Sequence, residues 1–234
     1  MKLLMPVVAA CAFLLSPMVF GDVISPAGSD TAEGNAENCI PFNCVASHYQ
    51  QVYGNSEFGT LLLQLIGIAF RGDAIAGTAI GSYTATIGLS TTSRQVDGLS
   101  TSFASNLGPD ASTVFSGTVT IATTAGAGPR PFEFVINFTT PFNYDPALGN
   151  LLLDVVTNGT TIGYQDVGFF DAVYTDADGV SRVVGFSPSD SVGGAADTGG
   201  LVTQFITAPT VPEPATLALL GLGLAGLGFS PRKQ

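Results

Sequence analysis

A chain of 234 residues with 18 acids, seven basic residues and a net charge of −11 is long enough for one domain with a sizeable core, or at most two small ones. Between Asp22 and Val211 the imbalance sharpens: four arginines (Arg71, Arg94, Arg130 and Arg182) face seventeen acids, and lysine is absent. That balance argues against nucleic acid and anionic membrane surfaces as partners. It favours solubility outside a cell and diffuse attraction for divalent cations, and it specifies no ligand.

At the amino terminus, Lys2 precedes an apolar run over residues 3–20 broken only by Pro6, Ser16 and Pro17, and Val19 and Gly21 supply the small residues of a cleavage site. Residues 1–21 therefore read as a signal peptide, with Asp22 as the first mature residue. Val8-Ala9-Ala10-Cys11 loosely resembles a lipoprotein cleavage box, but the apolar run continues well past Cys11. Residues 22–37 are polar, small and without periodicity, so residues 22–47 read as a flexible lead-in that contains one short disulfide loop. Cys39 and Cys44 are the two cysteines left after signal removal, and in an exported chain an even pair defaults to a bridge. A short loop removes little chain entropy, so that bridge is local in its effect. Zinc lacks ligands, because His48 is the only histidine.

From Gln50 onward, short runs of β-branched and aromatic residues alternate with Gly, Asn, Asp and Pro clusters. Residues 61–70 are almost continuously apolar, and residues 83–90 alternate with period two, as a half-buried strand does. Phe115, Gly117, Val119 and Ile121 repeat the alternation; Phe132, Phe134, Ile136 and Phe138 follow it with four large side chains expected to form one core-facing row. Residues 150–157, 167–175, 180–186 and 201–207 bring the total to about eight strands with no amphipathic helix among them. The pattern predicts an all-β domain over residues 48–208, an antiparallel β-sandwich of jelly-roll-like layout. Asp176-Ala177-Asp178-Gly179 has the chemistry of a tight hairpin turn.

Catalytic chemistry is hard to find. A Ser-His-Asp triad would have to use His48, and no G-x-S-x-G elbow exists. A pair of carboxylates drawn from Asp145, Asp154, Asp166 and Asp171 is the remaining enzymatic option, and spacing along the chain does not reveal such a pair. Asp176 and Asp178 resemble part of a D-x-D-G calcium loop. An EF-hand is excluded by Tyr174 and Gly185 at two ligand positions, which leaves room for a looser turn-borne calcium site. The expectation is a protein that is not an enzyme, with calcium as its one candidate cofactor.

The last segment, residues 209–234, is the most informative. Pro212-Glu213-Pro214 interrupts any regular element, an uncharged 16-residue run follows between Pro214 and Pro231, and Arg232 and Lys233 close the chain. The run is apolar all round and slightly short for a membrane-spanning helix. Gly221, Gly223 and Gly226 spell G-x-G-x-x-G, but the chain ends too soon after them for a dinucleotide site, and small residues instead allow close helix approach. Val211, Pro212, Glu213 and Pro214, the Gly/Leu-rich run and the basic end resemble the sorting signal of PEP-CTERM proteins. The tail departs from that family's usual arginine cluster. The resemblance implies export from a Gram-negative cell, transient inner-membrane anchoring through residues 215–230, and an exosortase-type membrane protease as partner. It also implies delivery to the cell surface or an extracellular polysaccharide matrix such as a biofilm. Residues 48–59, 87–100 and 141–155 are similar to one group of PEP-CTERM exported domains, which supports a single β-rich domain and supplies no mechanism. The leading expectation is a structural or adhesive surface protein; the alternative is a carbohydrate-binding or carbohydrate-active domain, disfavoured by the absence of tryptophan.

Overall fold

The computed structural model describes residues 21–209, apart from residues 43, 75, 76, 79 and 159–168. The expected signal peptide, Asp166, the motif residues Val211, Pro212, Glu213 and Pro214 and the apolar run 215–230 lie outside the described residues. Residues Gly21–Ala208 form one compact unit.

The described residues are all-β and antiparallel. In chain order the strands are β1 (Val23–Ser25), β2 (Ala36–Asn38), β3 (Ser47–Tyr53), β4 (Leu63–Phe70), β5 (Ile80–Thr92), β6 (Ser112–Ala122), β7 (Phe134–Tyr144), β8 (Asn150–Thr157), β9 (Phe170–Tyr174), β10 (Val180–Gly185), β11 (Ala196–Asp197), β12 (Gly199–Leu201) and β13 (Thr203–Thr207). They make a four-stranded sheet in the order β1-β13-β4-β7, a six-stranded sheet in the order β11-β10-β3-β8-β5-β6, and a three-stranded sheet in the order β12-β9-β2. The arrangement is sandwich-like: Tyr53 of the six-stranded sheet meets Phe205 of the four-stranded sheet edge-on at 4.8 Å, and Phe58 packs on Phe205 and Tyr144 at 5.1 and 5.0 Å.

A second aromatic cluster joins the four-stranded and three-stranded sheets. Phe70 of β4, Phe134 of β7 and Phe170 of β9 surround Phe42, with ring centroids 5.2, 5.1 and 6.3 Å from it. Phe42 belongs to the loop closed by the Cys39–Cys44 disulfide, and its side chain is wholly buried. The small bridge thus presents a core residue, and full burial of such a ring contributes about 1.5–3 kcal/mol.

Three sequence expectations need correction. Residues 22–47 are not a loose lead-in. Val23–Ser25 pairs with β13, Ala36–Asn38 pairs with β9, and the intervening loop is held by Arg71, which donates to the Ser29 carbonyl at 2.7 Å and the Ala32 carbonyl at 2.6 Å. Polar composition concealed this because the anchors are long-range hydrogen bonds, not apolar side chains. The turn at residues 176–179 does not close a hairpin: β9 lies in the three-stranded sheet, whereas β10 pairs with β3 and β11, so the turn is a corner between sheets. Finally, Phe134 and Ile136 are buried but Phe132 and Phe138 are only partly so. The β4–β7 register breaks between Leu65 and Gly67, where Phe142 and Asn137 are the successive partners, and Phe138 falls in the interruption. Phe132 precedes the strand and covers the Arg71 guanidinium at 5.2 Å.

Strand β3 was the least legible element. Both faces of Ser47–Tyr53 are covered, and Gln50 and Gln51 are as buried as their apolar neighbours. Gln51 accepts from the Leu201 N–H and donates to the Leu201 carbonyl, both at 2.9 Å, so its amide imitates a backbone partner for β12. Gln50 donates to the Phe103 carbonyl at 3.2 Å and accepts from Asn106 at 2.9 Å. Those bonds fasten the loop that carries Leu99 and Phe103 over Val52, Leu152 and Val183 as a separate small core.

Candidate functional site

Among the acids, the structure brings together Glu33, Asp73 and Asp171, each offering an oxygen within 4.8 Å of the others. Arg71, the residue after β4, turns its side chain inward and is 1% exposed. Arg71 Nε donates to Asp171 Oδ2 at 2.7 Å and its terminal nitrogen approaches the same oxygen at 2.6 Å. Asp171 Oδ1 accepts from the Gly34 N–H at 2.8 Å, and Glu33 Oε1 accepts from the Ala74 N–H at 2.8 Å. Burial pushes the Asp171 carboxyl up to about 6, against the Arg71 contacts that hold it down; the Glu33 charge adds to the rise. A shallow pocket of ≈ 250 Å³ lies over the cluster, lined by Glu33, Glu37 and Asp73 among others. Arg71 and the Gly34 N–H occupy the Asp171 carboxylate and the Ala74 N–H occupies one Glu33 oxygen, while Glu33 Oε2 is buried without a hydrogen-bond partner; together these bonds fasten the 26–35 loop.

His48 occupies a second polar site. Its Nε2 lies 2.8 Å from Asp154 Oδ1, its Nδ1 lies 2.8 Å from the Asp190 carbonyl, and its ring stacks on Phe103 with centroids 3.7 Å apart. A carboxylate and a carbonyl only accept, so both nitrogens are satisfied only when both carry protons. Burial, the largest single influence, opposes the charged ring, but the hydrogen bonds to Asp154 and Asp190 and the charges of both acids together raise the His48 pKa above its ordinary value. With both ring nitrogens engaged, the imidazole serves as a clasp between β3, β8 and the 186–195 loop.

The carboxylates singled out in the sequence do not share one setting. Asp145 caps the turn Pro146–Leu148 by accepting from the Ala147 N–H at 3.0 Å, Asp154 holds His48, and Asp171 holds Arg71. Asp166 is outside the described residues. Of the two turn acids, Asp176 is exposed, whereas Asp178 is partly buried and accepts from the Val180 N–H at 3.1 Å. Cys39 and Cys44 are joined with Cα atoms 5.4 Å apart. Arg71 and Glu33 were missed as partners of Asp171 because 100 or more residues separate Asp171 from either along the chain. The available signal was Arg71 itself, one of only four arginines in the exported region, ending an apolar strand.

None of these groups says where the protein goes; the carboxyl-terminal residues do. The family model for the PEP-CTERM protein-sorting motif matches residues 210–233. The chain carries a PEP-CTERM motif. That motif marks a protein sorted by an exosortase, a membrane protein, to the cell surface. No curated protein and no solved structure matches the chain. Among the described residues no helix is long and apolar enough to cross a membrane, and the apolar run within the PEP-CTERM motif lies outside them.

Proposed function

We propose that this chain is an exported surface or matrix protein of a Gram-negative cell, with a structural or adhesive role in exopolysaccharide and no enzymatic activity. In this reading, residues 1–21 are a signal peptide and residues 215–230 hold the precursor at the inner membrane. An exosortase-type protease cuts near Pro212-Glu213-Pro214, and the cargo is an acidic β-sandwich of jelly-roll-like layout. The observation that carries the proposal is the PEP-CTERM match at residues 210–233. Intact mass of the protein from its native host tests it. The expected mass lacks the residues after the processing point, and a mass that retains residues 217–234 overturns the sorting claim.

The absence of enzymatic activity is supported by the polar groups themselves. His48 is engaged at both ring nitrogens, and Asp154 and Asp171 each hold a basic side chain. The carbohydrate-binding alternative has less support. Three surface depressions, near Asn55 and Pro146, near Glu33 and Asp73, and near Leu107 and Asp154, have no aromatic ring in their lining for a sugar to stack on. Retention of the protein on a polysaccharide array, lost on mutating one exposed aromatic such as Tyr174 or Phe186, would favour that alternative.

A further inference from the structure

Where the β9–β10 corner meets the start of the domain, three side-chain oxygens are shielded from solvent and have no hydrogen-bond partner: Ser25 Oγ on β1, Glu57 Oε2 on the turn Asn55–Phe58, and Asp178 Oδ2 on the corner itself. They belong to one place. The Glu57 carboxylate lies against Gly179, so closely that a Cβ built on Gly179 would sit 2.6 Å from Glu57 Oε1. Gly179 is the residue after Asp178, and its carbonyl accepts from the Gly54 N–H at 2.8 Å, which draws the Asn55–Phe58 turn onto the corner. The Ser25 hydroxyl, wholly buried, lies beside the Glu57 carboxylate: it and the Ala27 N–H both hold the Glu57 pKa down against burial, although no hydrogen bond of ordinary geometry reaches Glu57 Oε2.

Charge is unbalanced there as well. Burial raises the pKa of both Glu57 and Asp178, and Asp178 also feels the negative charges of Asp97 and Glu57. Among the described residues neither acid is part of an ion pair. This distinguishes the site from the Glu33–Asp73–Asp171 cluster, where Arg71 supplies the positive charge. A buried acceptor left unmatched is costly, and the three oxygens lie on segments far apart in sequence. The Ser25 hydroxyl proton, or one added proton, would satisfy one carboxylate and leave the other acid unmatched. A divalent cation satisfies all three oxygens and neutralises both acids. All are hard oxygen donors, and calcium accepts irregular oxygen geometry where magnesium requires a near-ideal octahedron.

We propose that Ser25, Glu57 and Asp178 form a calcium site that ties β1, the Asn55–Phe58 turn and the β9–β10 corner together. The site differs from the one suggested by the D-x-D-G spacing: Asp178 is kept, Glu57 and Ser25 join it, and Asp176, exposed on the outer side of the corner, is left out. It does not depend on the sorting proposal, because its ligands all lie within Gly21–Ala208.

Thermal unfolding of the full chain against calcium chloride, with magnesium chloride at matched ionic strength as control, tests the site. Calcium is expected to raise the melting temperature with half-saturation on the order of 0.1–1 mM, the range of extracellular modules, and magnesium is not. Glu57→Gln and Asp178→Asn should each weaken the apparent affinity at least about 10-fold, the loss of one charged ligand, while Asp176→Asn leaves it within about twofold. A melting temperature unmoved by about 10 mM calcium overturns the proposal. So does a calcium response that survives both Glu57→Gln and Asp178→Asn, or one lost equally in Asp176→Asn. If the acid variants do not fold, calorimetric titration decides between the unmodified chain and Ser25→Ala. One ion per chain, bound several-fold more weakly by Ser25→Ala, supports the site; affinity unchanged by Ser25→Ala overturns it.

Discussion

The Arg71 guanidinium and the Asp171 carboxylate meet at 2.6 Å with side chains 1% and 0% exposed, 100 residues apart along the chain. Around this pair, β4, β9 and the 26–35 loop are fixed together, since Arg71 also donates to the Ser29 and Ala32 carbonyls. Removing one partner of a buried ion pair leaves the other charge unmatched. Arg71→Ala and Asp171→Ala should therefore each cost about 3–5 kcal/mol in denaturant unfolding. The double variant Arg71→Met/Asp171→Leu should cost less than the sum of the two, because no orphaned charge remains. It should still cut faster in limited proteolysis at residues 26–35, whose carbonyls lose their donors. Additive costs would mean that the pair does not act as a unit.

Phe42 separates the bridge from its contents. Truncating a wholly buried phenylalanine costs about 3–5 kcal/mol, whereas a bridge closing so short a loop contributes roughly 2 kcal/mol by the chain-entropy model. Phe42→Ala should thus lower stability more than the double variant Cys39→Ala/Cys44→Ala. The reverse order, measured by chemical denaturation, would show that the disulfide and not the ring holds this loop.

His48 predicts a pH dependence. Its folded pKa is raised above the unfolded value of about 6.5, so its contribution is fully present below that value and is lost as pH rises through the folded pKa. Asp171, raised to about 6, also contributes most at low pH, but its contribution is lost between the unfolded carboxylate value and about 6. The two windows differ. Melting temperature measured from pH 6.5 to 8.5 should fall, and His48→Gln should flatten that slope while leaving the acid limb in place. A slope unchanged in His48→Gln would remove the clasp role.

Gly28 and Gly179 have similar φ values of +90° and +99°, yet a Cβ on Gly28 meets nothing within 4 Å and one on Gly179 meets Glu57. Gly28→Ala should carry only the left-handed backbone penalty, about 1–2 kcal/mol. Gly179→Ala adds displacement of the Glu57 carboxylate, so its loss of stability should be visibly larger. Equal losses would place Glu57 elsewhere in solution.

The sequence alone determined the fold class, most strand positions and the sorting signal. Strands such as Ile80–Thr92 show themselves through local alternation of side-chain type, and the tail through a contiguous motif at residues 210–233. Both signals are local, so they survive without tertiary information. What only the tertiary structure decided depends on contacts between distant residues. Gln50 and Gln51 are polar and wholly buried because distant partners, the loop around Phe103 for one and Leu201 of β12 for the other, satisfy them, which no hydrophobic period reveals. The corner at residues 176–179 has hairpin chemistry, yet β10 finds its partner in β3 across about 130 residues, so its strands part into separate sheets. Residues 22–47 have the composition of a linker and are ordered by Arg71 and by pairing with β9 and β13. For the same reason the acids were visible only as a list until folding set Glu57 beside Asp178 and Arg71 beside Asp171: charge is written in the sequence, but its neutralisation is decided in space.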